Sequence, residues 1–145
     1  MLKVALTLFL LLGIGSVGTG LVYLTTGEFM PYHSGAVQTP WSDLDPNFQG
    51  LFLGMLKAMG AGSFIAGIAT VFMSVMGLRG VVRPYVALLP LVVLGYSTLV
   101  AYATYLVDSR TPGNPPLMPA VVSVVVAAGT SVMLVVAYRR QASAR

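Results

Sequence analysis

Four apolar stretches, residues 4–24, 46–78, 85–107 and 117–138, carry a single charged side chain between them, Lys57. At about 1.5 Å per residue each is long enough to cross a hydrocarbon core roughly 30 Å thick. Only 8% of the 145 residues are charged and 57% are apolar, with a mean hydropathy of +0.86. A soluble domain is about one-quarter charged, so the chain is expected to be an integral membrane protein. No segment alternates polar and apolar residues as a membrane β-barrel strand does. The expected fold is all-α: a bundle of four transmembrane helices in one membrane domain covering residues 1–145.

The boundaries have local causes. Lys3 ahead of an apolar run, with Ser16-Val17-Gly18 as a small-residue cleavage site, has the outline of a secretory leader. The run continues to Leu24, however, and is read as a retained first span. Residues 25–45 form a polar segment in which Pro31, Gly35 and Pro40 are expected to interrupt any helix. Asp45-Pro46 is a helix start, with Asp as N-cap and Pro at the first helical position. The helix begun there reaches Leu78, too long for one simple crossing, so it must tilt or emerge. A basic turn around Arg79–Arg83 follows. Pro90 is expected to kink the third span by removing a donor to the Val86 carbonyl. Residues 108–116 form the last turn.

With four spans, Lys3, Arg79, Arg83, Arg139, Arg140 and Arg145 fall on one side. The opposite side holds Arg110 and all four acids, Glu28, Asp43, Asp45 and Asp108. Basic loops stay in the cytoplasm, so both termini are expected there, in a bacterial inner membrane.

Within the second span every fourth residue is small: Gly50, Gly54, Ala58, Gly62, Ala66, Thr70 and Ser74. Helices in lipid associate by close backbone approach, which small residues permit. The row is expected to pack against neighbouring helices or to form part of an oligomer interface, so Gly62 at its middle should tolerate a larger side chain less well than Gly80 in the turn. Ser16 and Gly20 in the first span, and Ser123, Ala127 and Ser131 in the fourth, offer partners.

Lys57 is costly inside a bilayer unless it reaches headgroups or finds an acceptor. It lies on the same side of the helix as Gly50, Gly54, Gly60 and Ala61, so an inward direction is expected. Its partner should come from the outer segment, with Asp45 and Glu28 the first candidates and Asp43 behind them. Tyr32, His33 and Trp41 lie in that segment, either as an interfacial aromatic belt with Tyr23, Tyr102 and Tyr105 or as a lid over a pocket near Lys57.

Other chemistry is poorly supplied. The absence of cysteine removes thiolate metal sites and disulfides. One histidine among scattered carboxylates lacks zinc-ligand spacing. No nucleophile–base arrangement or phosphate loop is present, and eight scattered basic residues do not make a nucleic-acid surface. No cofactor and no enzymatic activity are expected.

The first helix ending in GLVYLTTG (residues 20–27), the polar segment and the glycine-rich LKAMGAGSFIAG (residues 56–67) resemble small four-span bacterial membrane proteins of the DoxX-like group. The resemblance covers the first half of the chain. It implies a helical bundle and brings no catalytic residues. The expected function is that of a non-enzymatic membrane protein in contact with lipid, either a homo-oligomer or an accessory subunit of a larger membrane complex. The alternative is a protein that binds or moves a small molecule, lipid or ion through a pocket at Lys57.

Overall fold

A computed structural model describes residues 1–80 and 83–143. The helices are α1 (Leu2–Thr25), α2 (Pro31–Val37), α3 (Pro46–Leu78), α4 (Arg83–Val86), α5 (Leu89–Arg110) and α6 (Leu117–Ser143), with a 3-10 turn at Trp41–Asp43. No strand occurs among the described residues. Four of these helices, α1, α3, α5 and α6, are long and apolar enough to cross a membrane. The chain is therefore an all-α, multi-pass membrane protein.

The helices start and stop where backbone chemistry requires. Asp45 Oδ1 accepts the Asn47 N–H at 2.8 Å and Pro46 takes the first helical position, so two N–H groups that lack helical partners are dealt with at once. At the other end, Gly80 adopts φ +73°, the left-handed conformation that closes a helix and that glycine enters without penalty. Two expectations need correction. Pro31 does not prevent a helix in the polar segment but begins one, because the N–H it lacks would be unpaired there anyway. Pro90 does more than kink the third span: α4 ends at Val86 and α5 begins at Leu89, with Pro90 in its first turn.

Both described chain ends lie at one pole, where Arg140 Nη1 donates to Met1 Sδ at 3.6 Å. This terminal pole also holds Lys3, Arg79 and Arg139, while Arg145 lies outside the described residues. Near it the large apolar side chains converge: Leu6 and Phe9 of α1, Met73 of α3, Val86 of α4, Leu89 and Val93 of α5, and Leu134 of α6. The central helix is α1, which runs along α3 on one side and touches α6 on the other, with α5 beside α6.

The closest pairing is between α1 and α3, and it is made almost backbone to backbone. A Cβ added to Gly20 would stand 2.6 Å from the Phe64 nitrogen, and one added to Gly67 would stand 2.6 Å from the Val17 nitrogen. Gly13 and Gly60 are nearly as tight, at 3.0 and 2.9 Å from backbone nitrogens of Val71 and Leu24. Between them Ser16 Oγ donates to the Ser63 carbonyl at 2.9 Å, and Ser63 Oγ returns a bond to the Ser16 carbonyl at 3.0 Å. Each hydroxyl thus crosses the interface to the other helix's backbone.

These contacts correct the expected packing row. The buried α3 positions are Leu56, Gly60, Ser63, Gly67, Thr70, Met73 and Ser74; apart from Met73, which joins the apolar core at the terminal pole, they are spaced alternately by four and three. The facing α1 positions, Leu6, Phe9, Gly13, Ser16, Gly20 and Tyr23, repeat the same spacing. A 3.5-residue repeat drifts only about 20° per seven residues, whereas a strict four-residue row drifts about 40° at every step. The Gly50–Ser74 row therefore starts on the far face and reaches the seam only at Thr70 and Ser74. Gly50, Gly54 and Gly62 meet nothing within 4 Å, Ala58 is exposed and Ala66 half-buried. Within one chain Gly62 has no more contact than Gly80, and Gly80 holds φ +73°, so the expected order of the two is not supported; the tight glycines of α3 are Gly60 and Gly67.

Candidate functional site

The residues singled out at the outer segment gather at the distal pole, the end away from the termini, where α1 stops while α3 continues. Lys57 marks that level. Its Nζ turns toward α1 and donates to the carbonyls of Leu24 at 2.8 Å, Tyr23 at 3.3 Å and Thr26. The last carbonyls of a helix have no intrahelical donor and carry the negative end of its dipole. An ammonium, with three N–H groups and a full positive charge, answers both needs. Lys57 is thus a C-cap supplied by a neighbouring helix.

The expected partners do other work. No ion pair joins Lys57 to Glu28, Asp43 or Asp45 among the described residues. Asp45 caps its own helix. Asp43 Oδ1 accepts from Ser42 Oγ at 2.9 Å, and Glu28 is exposed in the turn after α1, where its backbone bonds the Thr26 hydroxyl. A carboxylate is not needed because the helix end is already electronegative, and it lies nearer to Nζ.

From Lys57 back to Pro46, α3 rises about 16 Å past the end of α1 at 1.5 Å per residue. Its inner side there is covered by an aromatic cluster. Phe29, 5% exposed, is the hub. Trp41 meets it edge-on at 4.9 Å between centroids, Phe52 of α3 at 5.7 Å and His33 at 5.9 Å. The Trp41 carbonyl accepts from Gln49 Nε2 at 2.7 Å, tying the 3-10 turn to α3. Trp41 is therefore a packing residue here, while Tyr102 and Tyr105 of α5 are exposed, as belt residues are.

His33 is fixed in one role. Its Nδ1 accepts the Met30 N–H at 3.0 Å, which closes the first turn of α2 and requires the ring to be neutral. Burial among the aromatic rings lowers its pKa from the ordinary 6.5. Tyr32 packs against His33 with centroids 4.0 Å apart and ring planes tilted by 44°, and shares a 2.7 Å hydrogen bond with the Tyr23 hydroxyl. Burial, and secondarily that bond, raise the Tyr32 pKa. The loop after α5 closes over α2: a Cβ on Gly113 would lie 2.8 Å from both Ala36 Cβ and the Tyr32 carbonyl.

The structure thus brings Tyr32, His33 and Trp41 together around Phe29, sends Lys57 to the end of α1, and leaves Glu28, Asp43 and Asp45 at the rim. Phe29 and Phe52 were not singled out in the sequence, and Tyr23 only as a belt residue; Phe29 sits beside an acid in a polar segment, where nothing local reveals a hub. Among the described residues no three His, Asp or Glu side chains converge as metal ligands would. Among the described residues the surface grooves include one of about 400 Å³ between α5 and α6 and one beside the 114–119 loop. Neither is lined by Lys57, His33 or Trp41. No family model matches the chain, and comparison with curated proteins and with solved structures gives no match either.

Proposed function

We propose that this chain is a non-enzymatic protein of a bacterial inner membrane, with both termini in the cytoplasm, acting as a homo-oligomer or as an accessory subunit of a membrane complex. The observation that carries the reading is the commitment of Lys57. The one charged side chain within the apolar stretches gives its donors to the carbonyls of Tyr23, Leu24 and Thr26 at the end of α1, which supports a role for it in the fold. The DoxX-like resemblance belongs to the same proposal, supported by the order of spans and by the polar segment between the first two.

The far face of α3 supports assembly. Gly50, Gly54, Ala58 and Gly62 are exposed there, and another helix could approach them as closely as α1 approaches Gly60 and Gly67. The topology is supported by Lys3, Arg79, Arg139 and Arg140 at the terminal pole and Glu28, Asp43, Asp45 and Asp108 at the other.

The chain has no cysteine, so single cysteines report cleanly. In native membranes, oxidation of Gly54→Cys and Gly62→Cys should give covalent dimers or adducts with one other polypeptide, while Leu99→Cys on α5 should give neither. Monomers at every α3 position would end the assembly reading. For the topology, a periplasm-dependent reporter should be silent after Arg145 and active near Gly35; the reverse would refute the cytoplasmic assignment.

A further inference from the structure

We propose that the distal half of the α5–α6 face is a binding groove for a membrane phospholipid whose headgroup carries a primary ammonium. The groove between these helices, about 400 Å³, is lined by Ala101, Tyr102, Tyr105, Leu117, Val121 and Val125 among others. That volume falls in the range of about 300–1,000 Å³ usual for small-molecule sites. Its walls are almost wholly apolar, as an acyl chain requires. Leu117 also lines the second groove, whose remaining walls include Tyr32, Asp108, Asn114 and Pro115. The two grooves meet at Leu117: the one in the span has apolar walls, and the one at the loop, also mostly apolar, carries the Asp108 carboxylate, the Asn114 amide and the Tyr32 hydroxyl. An amphiphile has the same division along its length.

The lip selects the sign of the headgroup. A helix start ordinarily attracts anions through its free N–H groups, but α6 offers few. The Leu117 N–H is taken by the Pro115 carbonyl at 2.7 Å, the Ala120 N–H is directed to the Pro116 carbonyl at 3.3 Å, and Pro119 has no N–H. The Pro115 and Pro116 carbonyls are the acceptors of those two bonds, and Asn114 adds one neutral amide. The ionisable groups lining the lip are the Asp108 carboxylate and the Tyr32 phenol, and the phenol is engaged with Tyr23. Asp108 is exposed and free to accept. A lip whose one full charge is the exposed Asp108 carboxylate favours an ammonium that can donate N–H bonds over an anionic or a permanently methylated headgroup. Tyr102 and Tyr105, exposed on the same stretch of α5, place the joint between the two grooves at headgroup depth.

The test uses the full chain in nanodiscs and native mass spectrometry of the released protein. Phosphatidylethanolamine should be retained over both phosphatidylglycerol and phosphatidylcholine of the same acyl chains. Asp108→Asn should reduce that preference roughly threefold to tenfold, the range for one partly exposed charge-assisted hydrogen bond. Val121→Phe, at an exposed position that lines the apolar part, should lower retention of every lipid while the melting temperature stays unchanged. Equal retention of the three lipids, or a preference that survives Asp108→Asn, would overturn the assignment. Neither result would bear on α3-mediated assembly.

Discussion

The α1–α3 pair and the α5–α6 pair are both antiparallel helices joined at the distal pole, yet they are held together in different ways. Along α1–α3, glycines and serines let the backbones touch, and nearly every seam position is fixed by its neighbour across the interface. Along α5–α6 the contact is sparser, Gly95 and Gly129 meet nothing within 4 Å, and a groove opens between the helices. In lipid an apolar side chain gains little by leaving the tails for another helix. Shape fit and hydrogen bonds must then hold a pair together, and α1–α3 has both. The difference teaches that hydrophobicity places these helices in the membrane but does not pair them.

The comparison breaks most visibly at the glycines. Gly67→Leu would drive a side chain into the Val17 backbone, and overpacking of this kind costs about 1–3 kcal/mol or more. Its thermal melt in detergent should fall well below wild type, while Gly129→Leu on α6 should melt near it. Similar losses at both would mean that the two pairs are equally tight.

Lys57→Met comes next. It leaves two α1 carbonyls and that of the C-cap residue Thr26 without their donor, a loss of about 1–3 kcal/mol for hydrogen bonds to a charged group at a helix end. Lys57→Arg should recover much of this, since charge and donors are kept. An unchanged melt for Lys57→Met would remove the cap from the account.

A double-mutant cycle on Ser16→Ala and Ser63→Ala should give a smaller coupling, about 0.6 kcal/mol and at most about 1.7 kcal/mol, as for other interhelical bonds in membranes. Additive single effects would show that the reciprocal bonds contribute nothing to pairing.

The smallest effect concerns the distal cap over the α1–α3 pair. His33 has a folded pKa below 6.5, so the unfolded segment binds more protons than the folded one in that range. The His33 contribution is then present above the unfolded value and is lost as pH falls toward the lowered one. Fluorescence of Trp41, in the same aromatic cluster, should report a loosening of the segment between about pH 7 and 5, where exposed carboxylates stay ionised. His33→Gln should flatten the profile, and a flat wild-type profile would contradict the role given to Nδ1.

Much of the fold was legible because it depends on local composition. Unbroken apolar runs set the four spans, and Asp45-Pro46 gave the start of α3 without ambiguity. The seam was less legible. Gly50, Gly54, Ala58 and Gly62 are as small as Gly60, Ser63 and Gly67, and only the alternating four–three spacing, matched in α1, separates the two faces. At the distal pole, the acceptor for Lys57 could not be read from side chains because it is backbone. A helix end is an electronegative site with no residue letter of its own.

The central claim is that α1 faces the Gly60–Ser63–Gly67 side of α3. Paired cysteines in this cysteine-free chain test it directly, since a disulfide forms only between close, suitably directed positions. With Ser16→Cys in place, Ser63→Cys should give a rapid intramolecular disulfide in native membranes and Gly62→Cys should not. Crosslinking through position 62 in preference to 63 would contradict the account.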